Sequence, residues 1–261
     1  NKVIQRLNYF RRLCGLSDNV TENTSQHQGC QKASLIFKAQ NNLSHFPPNT
    51  WACWTQAGYD AAGTSNIAWG TATSGEYCTH STYGVTGFME DAGANNKQVG
   101  HRAWFLMPGL TALGIGSTNT TSCMQWKDNY NTSATGIDFV AYPPDGYMPN
   151  TLVFPRWSFS IPNSADFTAA TVTMTDAAGS PVNLNIVHKG SNSGGYPDSR
   201  IVWEPNVDVS AITSDQTYNV TVAGIAGASQ TSYTYQVIVV PVADSYKKSA
   251  SPNKSGRKMI K

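Results

Sequence analysis

Hydrophobic positions follow a helical period in the first part of the chain and a strand period in the second. Val3, Leu7 and Phe10 recur at the three- and four-residue intervals of one helix face. Similar intervals predict further helices over residues 30–43 and around Phe88. Short runs of β-forming residues follow at 102–107, 111–116, 122–127 and 137–142. Helices followed by closely spaced strands predict an α+β layer structure for this half.

From Trp157 onward no helical period is visible. The strand-like runs there are 157–161, 170–175, 182–187, 201–203, 218–222 and 233–240. In the last run Tyr233, Tyr235, Val237 and Val239 recur at every second position, which places their side chains on one face. Short strands at this spacing predict an all-β, immunoglobulin-like sandwich without cysteines.

The two patterns meet near the run Pro143-Pro144-Asp145-Gly146. A chain of 261 residues is long enough for two domains, each with its own core. We therefore expect an α+β domain over 1–142, a linker over 143–150, a β-sandwich over 151–244 and a basic tail over 245–261.

Charge is concentrated at the end of the chain. The formal net charge is +2, but the residues after 244 hold six basic side chains and no acidic one, so the remainder carries −4. Because no aromatic residues are interleaved with these charges, the tail is typical of a solvated segment or an assembly arm and not of a nucleic-acid-binding surface. No apolar run approaches the roughly 18 residues of a membrane span, so no transmembrane segment is expected.

Several features favour a secreted glycoprotein. Only 13% of the residues are charged, and neutral Ser, Thr, Asn and Gly are abundant. The chain begins at Asn1 without a methionine, which is what removal of a targeting segment would leave. Acceptor sequences for N-glycosylation occur at Asn19, Asn23, Asn42, Asn119, Asn131, Asn219 and Asn253. We therefore expect an extracellular or cell-surface protein.

All five cysteines lie in the first half of the chain, and none forms a C-x-x-C pair. Disulfides fit a secreted protein better than a zinc or redox site. Cys14 and Cys30 bracket one polar loop and Cys53 and Cys78 bracket the next, so local pairings 14–30 and 53–78 are expected, with Cys123 left over. The alternative is a set of reduced thiols in a cytosolic protein.

A group of motifs in the first 142 residues resembles the CAP superfamily, which comprises cysteine-rich secretory proteins, venom allergens and plant pathogenesis-related proteins. The resemblance is to the microbial branch. Its residues are Leu7-Asn8-Tyr9-Phe10-Arg11-Arg12, Ala39-Gln40-Asn41-Asn42-Leu43-Ser44-His45, Ser65-Asn66-Ile67-Ala68, Phe88-Met89-Glu90-Asp91 and Gly100-His101-Arg102. The second half resembles the all-β domain that follows CAP domains in some microbial proteins.

The resemblance implies an α-β-α sandwich whose central cleft holds two histidines and two acids. His45 and His101 match the two family histidines, and Asp91 stands where a helix offers a glutamate. The second acid is missing, because Thr64-Ser65-Asn66 replaces the usual Gly-Glu-Asn.

Such a cleft permits three interpretations. Two imidazoles can bind a divalent metal such as zinc, with Asp91 as a third ligand or as the acceptor that orients a ring. A purely structural role is the alternative: His45 caps the end of its own helix and His101 is buried against Asp91. Hydrolysis with Ser65 as nucleophile is the third, but no Gly-x-Ser-x-Gly elbow surrounds this serine.

Four large rings lie within a short stretch: Trp51, Trp54, Tyr59 and Trp69. They either line a groove for sugars or lipids or serve as a small core.

The preferred function is a secreted, non-catalytic structural or binding component that has protein partners or assembles with itself through the sandwich and the tail. A lipid-, sterol- or glycan-binding protein and a metal-dependent hydrolase that uses His45 and His101 are the alternatives.

Overall fold

The computed structural model describes residues 2–70, 81–131, 136–162, 165–190, 197–242 and 257–260, which form a mixed α+β structure. The α-helices in this part of the chain are α1 Lys2–Leu13, α2 His27–Gln40, α3 Gln56–Ala62, α4 Ser81–Glu90 and α5 Gly100–Phe105. The strands are β1 Thr21–Glu22, β2 Ser65–Gly70, β3 Ala112–Ser117, β4 Thr121–Gln125, β5 Val140–Tyr142, β6 Gly146–Pro149, β7 Trp157–Pro162, β8 Thr171–Asp176, β9 Leu184–Gly190, β10 Asp198–Pro205, β11 Gln216–Ala223, β12 Ser232–Val240 and β13 Arg257–Ile260.

Hydrophobic spacing gave the right positions for α1, α2 and α4. Val3, Leu7 and Phe10 form the buried face of α1. The second helix ends earlier than the predicted residue 43, because Asn41 adopts the left-handed conformation with φ 52° and its N–H bonds back to the last turn. The prolines at 47 and 48 therefore follow a helix that has already ended.

One strand prediction in this half is wrong, and another is confirmed only over part of its length. Residues 102–107 lie mostly in helix α5, and no strand includes them. The segment 137–142 contributes only the short strand β5, which pairs with β7 in a different sheet from β3 and β4. Helix α3 and strand β2 were not predicted at all. Both lie in a Gly- and Ala-rich stretch that has no clear period.

The first sheet has the strand order β1-β3-β4-β2-β13. Helix α2 packs closely on it, since a Cβ at Gly116 of β3 would lie 2.2 Å from the carbonyl carbon of Cys30. Only glycine permits this approach. A separate apolar cluster, the α2 cluster, lies between α2, α3 and the sheet. Its buried members are Cys30, Ala33, Ile36, Phe37, Leu43, Ala61, Ala62, Ile67 and Cys123.

The second half of the chain forms two four-stranded sheets, ordered β5-β7-β10-β9 and β6-β12-β11-β8. Aromatic side chains connect them across the core. The Phe159 ring stacks on Tyr235 at 6.1 Å, and Trp157 meets Tyr218 edge-on at 6.0 Å. The two sheets therefore share one hydrophobic core, as the alternating pattern predicts.

The two halves are joined by an apolar contact. The Phe10 ring of α1 lies 6.4 Å from the rings of Tyr142 and Phe154, and these two stack on each other at 5.6 Å. Strand β6 lies inside the predicted linker 143–150 and pairs in parallel with β12. The connection between the halves is therefore part of a sheet.

The end of the chain returns to the first sheet. The backbone of β13, within the predicted tail 245–261, pairs antiparallel with β2 from Arg257 opposite Gly70 to Ile260 opposite Ile67. Among the helices of the described ranges, none has the length and apolar character of a membrane-spanning helix.

A fully buried arginine connects α1 to the end of α5. The Arg11 guanidinium donates to the carbonyls of Phe105 at 2.8 Å, Met107 at 2.9 Å and Pro108 at 3.2 Å, and also to Ser17 at 2.7 Å. Burial lowers the pKa of Arg11 to about 10, so the group is still protonated at neutral pH. The Phe105 carbonyl ends α5 with no further turn to bond, and the Met107 and Pro108 carbonyls lie just after it, which explains a charged side chain inside the core.

Replacement of Arg11 should therefore be costly. We expect Arg11→Met to lower the free energy of unfolding by about 3 kcal/mol or more, because several buried carbonyls lose their donor. Urea denaturation followed by circular dichroism measures this. The matched control is Arg12→Met, which removes the exposed pair with Asp18 and should cost less than about 1 kcal/mol. Equal losses in the two variants would contradict the assigned role of Arg11.

Candidate functional site

The Gly100-His101-Arg102 stretch lies in the first turn of helix α5. The carboxylate of Asp91 accepts the backbone N–H of His101 at 2.9 Å and, more weakly, that of Arg102 at 3.4 Å. These N–H groups have no partner within the helix, so the carboxylate caps its first turn. The capping residue lies ten positions earlier in the chain, which is why the local sequence pattern suggested a strand.

The same carboxylate also fixes the His101 ring. Nδ1 of His101 lies 2.7 Å from Oδ1 of Asp91, and the two side chains are 2% and 0% exposed. Because the carboxylate can only accept, Nδ1 carries the proton and donates it. The ring packs against Phe88 of α4 at 5.0 Å. Asp91 thus orients the imidazole, one of the two roles expected from the sequence.

Arg102, next in the chain, connects α4 to the second half of the structure. Its Nε donates to the Met89 carbonyl at 2.7 Å, and its Nη1 donates to the Arg156 carbonyl and to Ser158 Oγ of β7 at 2.9 and 3.0 Å. The guanidinium lies 4.6 Å from the centre of the Tyr142 ring. Burial lowers the pKa of Arg102 to about 10. The residue is a structural cation inside the protein.

The position of the missing family acid is occupied by a structural hydroxyl. Ser65, at the start of β2, is 2% exposed and donates through Oγ to the Ala61 carbonyl at 2.6 Å. Its neighbour Asn66 donates through Nδ2 to the His101 carbonyl at 3.0 Å. Asn66 therefore connects β2 to α5, a role that the sequence reasoning had not assigned although the motif contains this residue.

His45 caps a helix, but not its own. It lies after the end of α2, and its Nδ1 is 2.6 Å from the carbonyl of Ala62, the last residue of α3. The expected bond to carbonyls of the preceding helix is therefore wrong, because α2 ends at Gln40 and the chain has turned away. A carbonyl accepts, so Nδ1 is the donor here.

The residues of the predicted site thus fall into two separate groups. Asp91 contacts His101, whereas His45 and Ser65 each contact the end of α3. Across the described ranges there is no group of three or more His, Cys, Asp or Glu side chains that could hold a metal ion. A catalytic zinc site usually has three protein ligands, so the metal site that His45 and His101 suggested stays a prediction.

The four-ring group is partly a core. Trp51, Trp54 and Trp69 pack half-buried against the α2 cluster, and Trp54 donates through its indole N–H to the Pro47 carbonyl at 3.0 Å. Tyr59 contacts Trp54 at 6.2 Å and also Phe46 at 6.2 Å, a ring that is 67% exposed. Phe46 was not singled out from the sequence. We call Phe46, Trp54 and Tyr59 the aromatic face.

A second aromatic pair lies beside α5. Trp104 is half-buried, packs against the main core and stacks on Trp126 with ring centres 3.4 Å apart and an angle of 6° between the planes. This stack connects α5 to the segment after β4.

The described cysteines Cys14, Cys30, Cys53 and Cys123 are free thiols. The structure does not bring Cys14 and Cys30 together, because Cys14 packs against the main core near Arg11 and Arg102 whereas Cys30 belongs to the α2 cluster. Burial raises the pKa of Cys14 to about 12. Cys78 lies outside the described residues, so the pairing 53–78 stays a prediction.

The glycosylation acceptors differ in accessibility. Asn19, Asn42, Asn119 and Asn131 are exposed. Asn23 and Asn219 are half-buried and donate through Nδ2, Asn23 to Asn129 at 2.8 Å and Asn219 to the Asp176 carbonyl at 3.3 Å. Asn253 lies outside the described residues.

Comparison of the chain with protein-family models, with curated protein sequences and with solved structures found no match. The likeness to CAP proteins therefore stays an expectation drawn from the motifs. Function has to be argued from the contacts of the side chains themselves.

The Asp91 contacts predict a large effect of a nearly isosteric change. We expect Asp91→Asn to lower the free energy of unfolding by about 2–4 kcal/mol, because the uncharged amide bonds the His101 ring and the α5 N–H groups less strongly. Urea denaturation measures the change. Asp60→Asn is the control, since Asp60 is exposed and its carboxylate accepts a hydrogen bond from Gln56; its effect should stay within about 0.5 kcal/mol. A neutral result for Asp91→Asn would disprove its capping role.

Proposed function

We propose that this chain is a secreted, non-catalytic, CAP-like glycoprotein that acts as an extracellular structural component and assembles through its C-terminal strand. The observation that carries the assembly is the backbone pairing of β13 with β2, which without β13 would be the edge strand of the first sheet. In this proposal the residues of the predicted cleft stabilise the fold, and the edge of β2 that pairs with β13 is the surface through which copies of the chain associate.

The cleft contacts support a non-catalytic role. Ser65 directs its hydroxyl proton to the Ala61 carbonyl, while a serine nucleophile needs a histidine base at hydrogen-bond distance. The His101 ring is held by a buried carboxylate, and the Nδ1 of His45 bonds a helix end. These contacts favour a structural role over the hydrolase alternative.

An edge strand that accepts a terminal strand is a standard route to assembly. Main-chain hydrogen bonds supply the affinity, and when β13 leaves its own sheet the exposed β2 edge can accept β13 from another copy of the chain. The segment between Val240 and Arg257 spans up to about 55 Å when extended, enough to reach a neighbouring molecule. Exchange of an identical element between copies costs little, because the contacts made are the same.

Charge supports the same arrangement. The residues after 244 carry six positive charges, whereas the rest of the chain carries a net −4. Opposite charges attract the tail to the body of its own or of another copy, and this attraction weakens as salt rises. Assembly through the tail should therefore be favoured at low ionic strength.

Secretion is supported by the exposure of several glycosylation acceptors. Asn19, Asn42, Asn119 and Asn131 offer their side chains to solvent, as glycan attachment requires. Localisation outside the cell follows from this and from the composition, as part of the proposal.

Glycan binding is the second candidate function, and the aromatic face favours it. The Phe46 ring is 67% exposed beside Tyr59 and Trp54. An exposed ring beside two half-buried rings favours a binding surface, and the apolar face of a sugar ring can stack on such a group.

The strand-pairing proposal predicts how assembly responds to proline. In an antiparallel strand only every second N–H bonds a given partner, so Lys258→Pro combined with Met259→Pro removes a donor in either register. We expect the wild-type chain to form dimers or longer assemblies at high concentration in low salt, and this variant to stay monomeric, by size-exclusion chromatography with light scattering.

The matched control is Lys258→Ala combined with Met259→Ala, which has the charge of the proline variant but keeps both N–H groups. It should assemble like the wild type. If the wild type is monomeric under all these conditions, or if both variants assemble equally, the assembly proposal fails.

The glycan-binding candidate makes a separate prediction. Phe46→Ala should weaken binding to immobilised neutral oligosaccharides by about ten-fold, the loss of roughly 1.4 kcal/mol of stacking. Tyr147→Ala is the control, because Tyr147 is equally exposed at 67% but lies on β6. Equal binding by the wild type and Phe46→Ala, or no binding by the wild type, would argue against this candidate.

A further inference from the structure

Two cysteines meet inside the α2 cluster. Cys30 lies on α2 and Cys123 on β4, and both are 0% exposed. The expected pairings placed Cys30 with Cys14 and left Cys123 without a partner. The packing of α2 on the sheet instead brings Cys30 to Cys123.

The backbone shows how close the two residues are. Cys123 lies directly opposite Gly116 in the register of β3 and β4, so their Cα atoms are about 5 Å apart and both positions face the same side of the sheet. A Cβ at Gly116 would lie 2.2 Å from the carbonyl carbon of Cys30. The backbone of α2 at Cys30 therefore rests directly on Gly116, beside Cys123.

The side chains confirm the contact. The Cys30 thiol is among the neighbours that raise the pKa of Cys123. The Ser65 side chain is also a neighbour of the Cys123 thiol. Two further contacts of the sulfur atoms are long: 3.8 Å from Cys30 Sγ to Gln125 Oε1, and 3.9 Å from Cys123 Sγ to the Ala61 carbonyl. Neither is strong enough to hold a thiol away from its neighbour.

We propose that Cys30 and Cys123 form a disulfide that fastens α2 to the first sheet. The oxidant is a small-molecule disulfide, R–S–S–R. One cysteine thiolate attacks it, displaces R–S⁻ and forms a mixed disulfide. The second cysteine thiolate then attacks the protein sulfur and releases the other R–S⁻. The sum is two protein thiols and one R–S–S–R giving one protein disulfide and two R–SH, a transfer of two electrons and two protons.

The bond should form during folding. Burial and the neighbouring Cys30 raise the pKa of Cys123 well above its ordinary value, so Cys123 holds almost none of its reactive thiolate in the folded protein. The sulfur atoms also have no access to a solvent oxidant once α2 has docked. A chain that folds under reducing conditions should therefore keep both thiols, and one that folds under oxidising conditions should keep the disulfide.

The direct experiment is peptide mapping. The reduced chain is refolded with reduced and oxidised glutathione, denatured, treated with iodoacetamide and digested without reductant. Mass spectrometry should find the Cys30 peptide joined to the Cys123 peptide and two hydrogens lighter than the free pair. A Cys30–Cys14 link, or carbamidomethyl groups on both Cys30 and Cys123, would overturn the proposal.

A stability measurement gives a second, independent readout. Closing a loop of roughly 90 residues should raise the Tm of oxidised over reduced wild type by about 10 °C. The variant Cys30→Ala with Cys123→Ala should show no such difference, while Cys14→Ala should retain it. Because wild type is compared with itself, the test holds even if the double variant fails to fold. Equal Tm values for the two wild-type preparations would count against the bond.

The proposal does not depend on the proposed assembly. Refolding is carried out on the isolated chain with a defined oxidant, so its outcome is independent of whether β13 exchanges between copies. A missing bond leaves the assembly experiment unaffected, and a monomeric chain leaves the peptide map unaffected.

Discussion

The buried carboxylate of Asp91 is the interaction on which the arrangement of this protein depends. It accepts from the His101 ring and from the first N–H groups of α5, all within a few residues of one another. Asp91 itself adopts the left-handed conformation, with φ 53°, immediately after α4. A buried charge is tolerated only when it is hydrogen-bonded, so α4 and α5 must pack in an arrangement that keeps the bonds to the Asp91 carboxylate. The Asp91 carbonyl also accepts from Arg156 at 2.8 Å, which extends the contact into the second half.

Buried arginines complete this framework. Arg11 bonds the carbonyls that follow α5, and Arg102 bonds those that end α4. These helix ends are therefore bonded by side chains from elsewhere in the chain, because the terminal N–H and C=O groups of an α-helix have no partner within the helix. Asn66 connects β2 to the same region through the His101 carbonyl. A set of polar residues that resembles a catalytic group in sequence thus serves as the internal support of the fold.

Local sequence patterns predicted the elements whose structure depends only on residues near one another in the chain. The buried face of α1 and the alternation of β12 depend on neighbours within one element, and both are found where expected. Helix α5 was missed because its cap comes from Asp91, ten residues away, and the run Trp104-Phe105-Leu106 is β-forming by itself. The candidate residues Asp91 and His101 were found through their motif. The contact of His45 with α3 was not, because α3 has no hydrophobic period that would reveal it. The meeting of Cys30 and Cys123 depends on Gly116, a residue whose importance lies in having no side chain.

The parallel stack of Trp104 and Trp126 has a spectroscopic consequence. Two indoles in face-to-face contact couple their electronic transitions, and the chirality of their surroundings turns that coupling into a circular dichroism signal that isolated tryptophans do not give. The signal exists only while α5 and the segment after β4 hold both rings in register. This tryptophan pair therefore reports, without any label, whether α5 is packed in its native position beside Asp91.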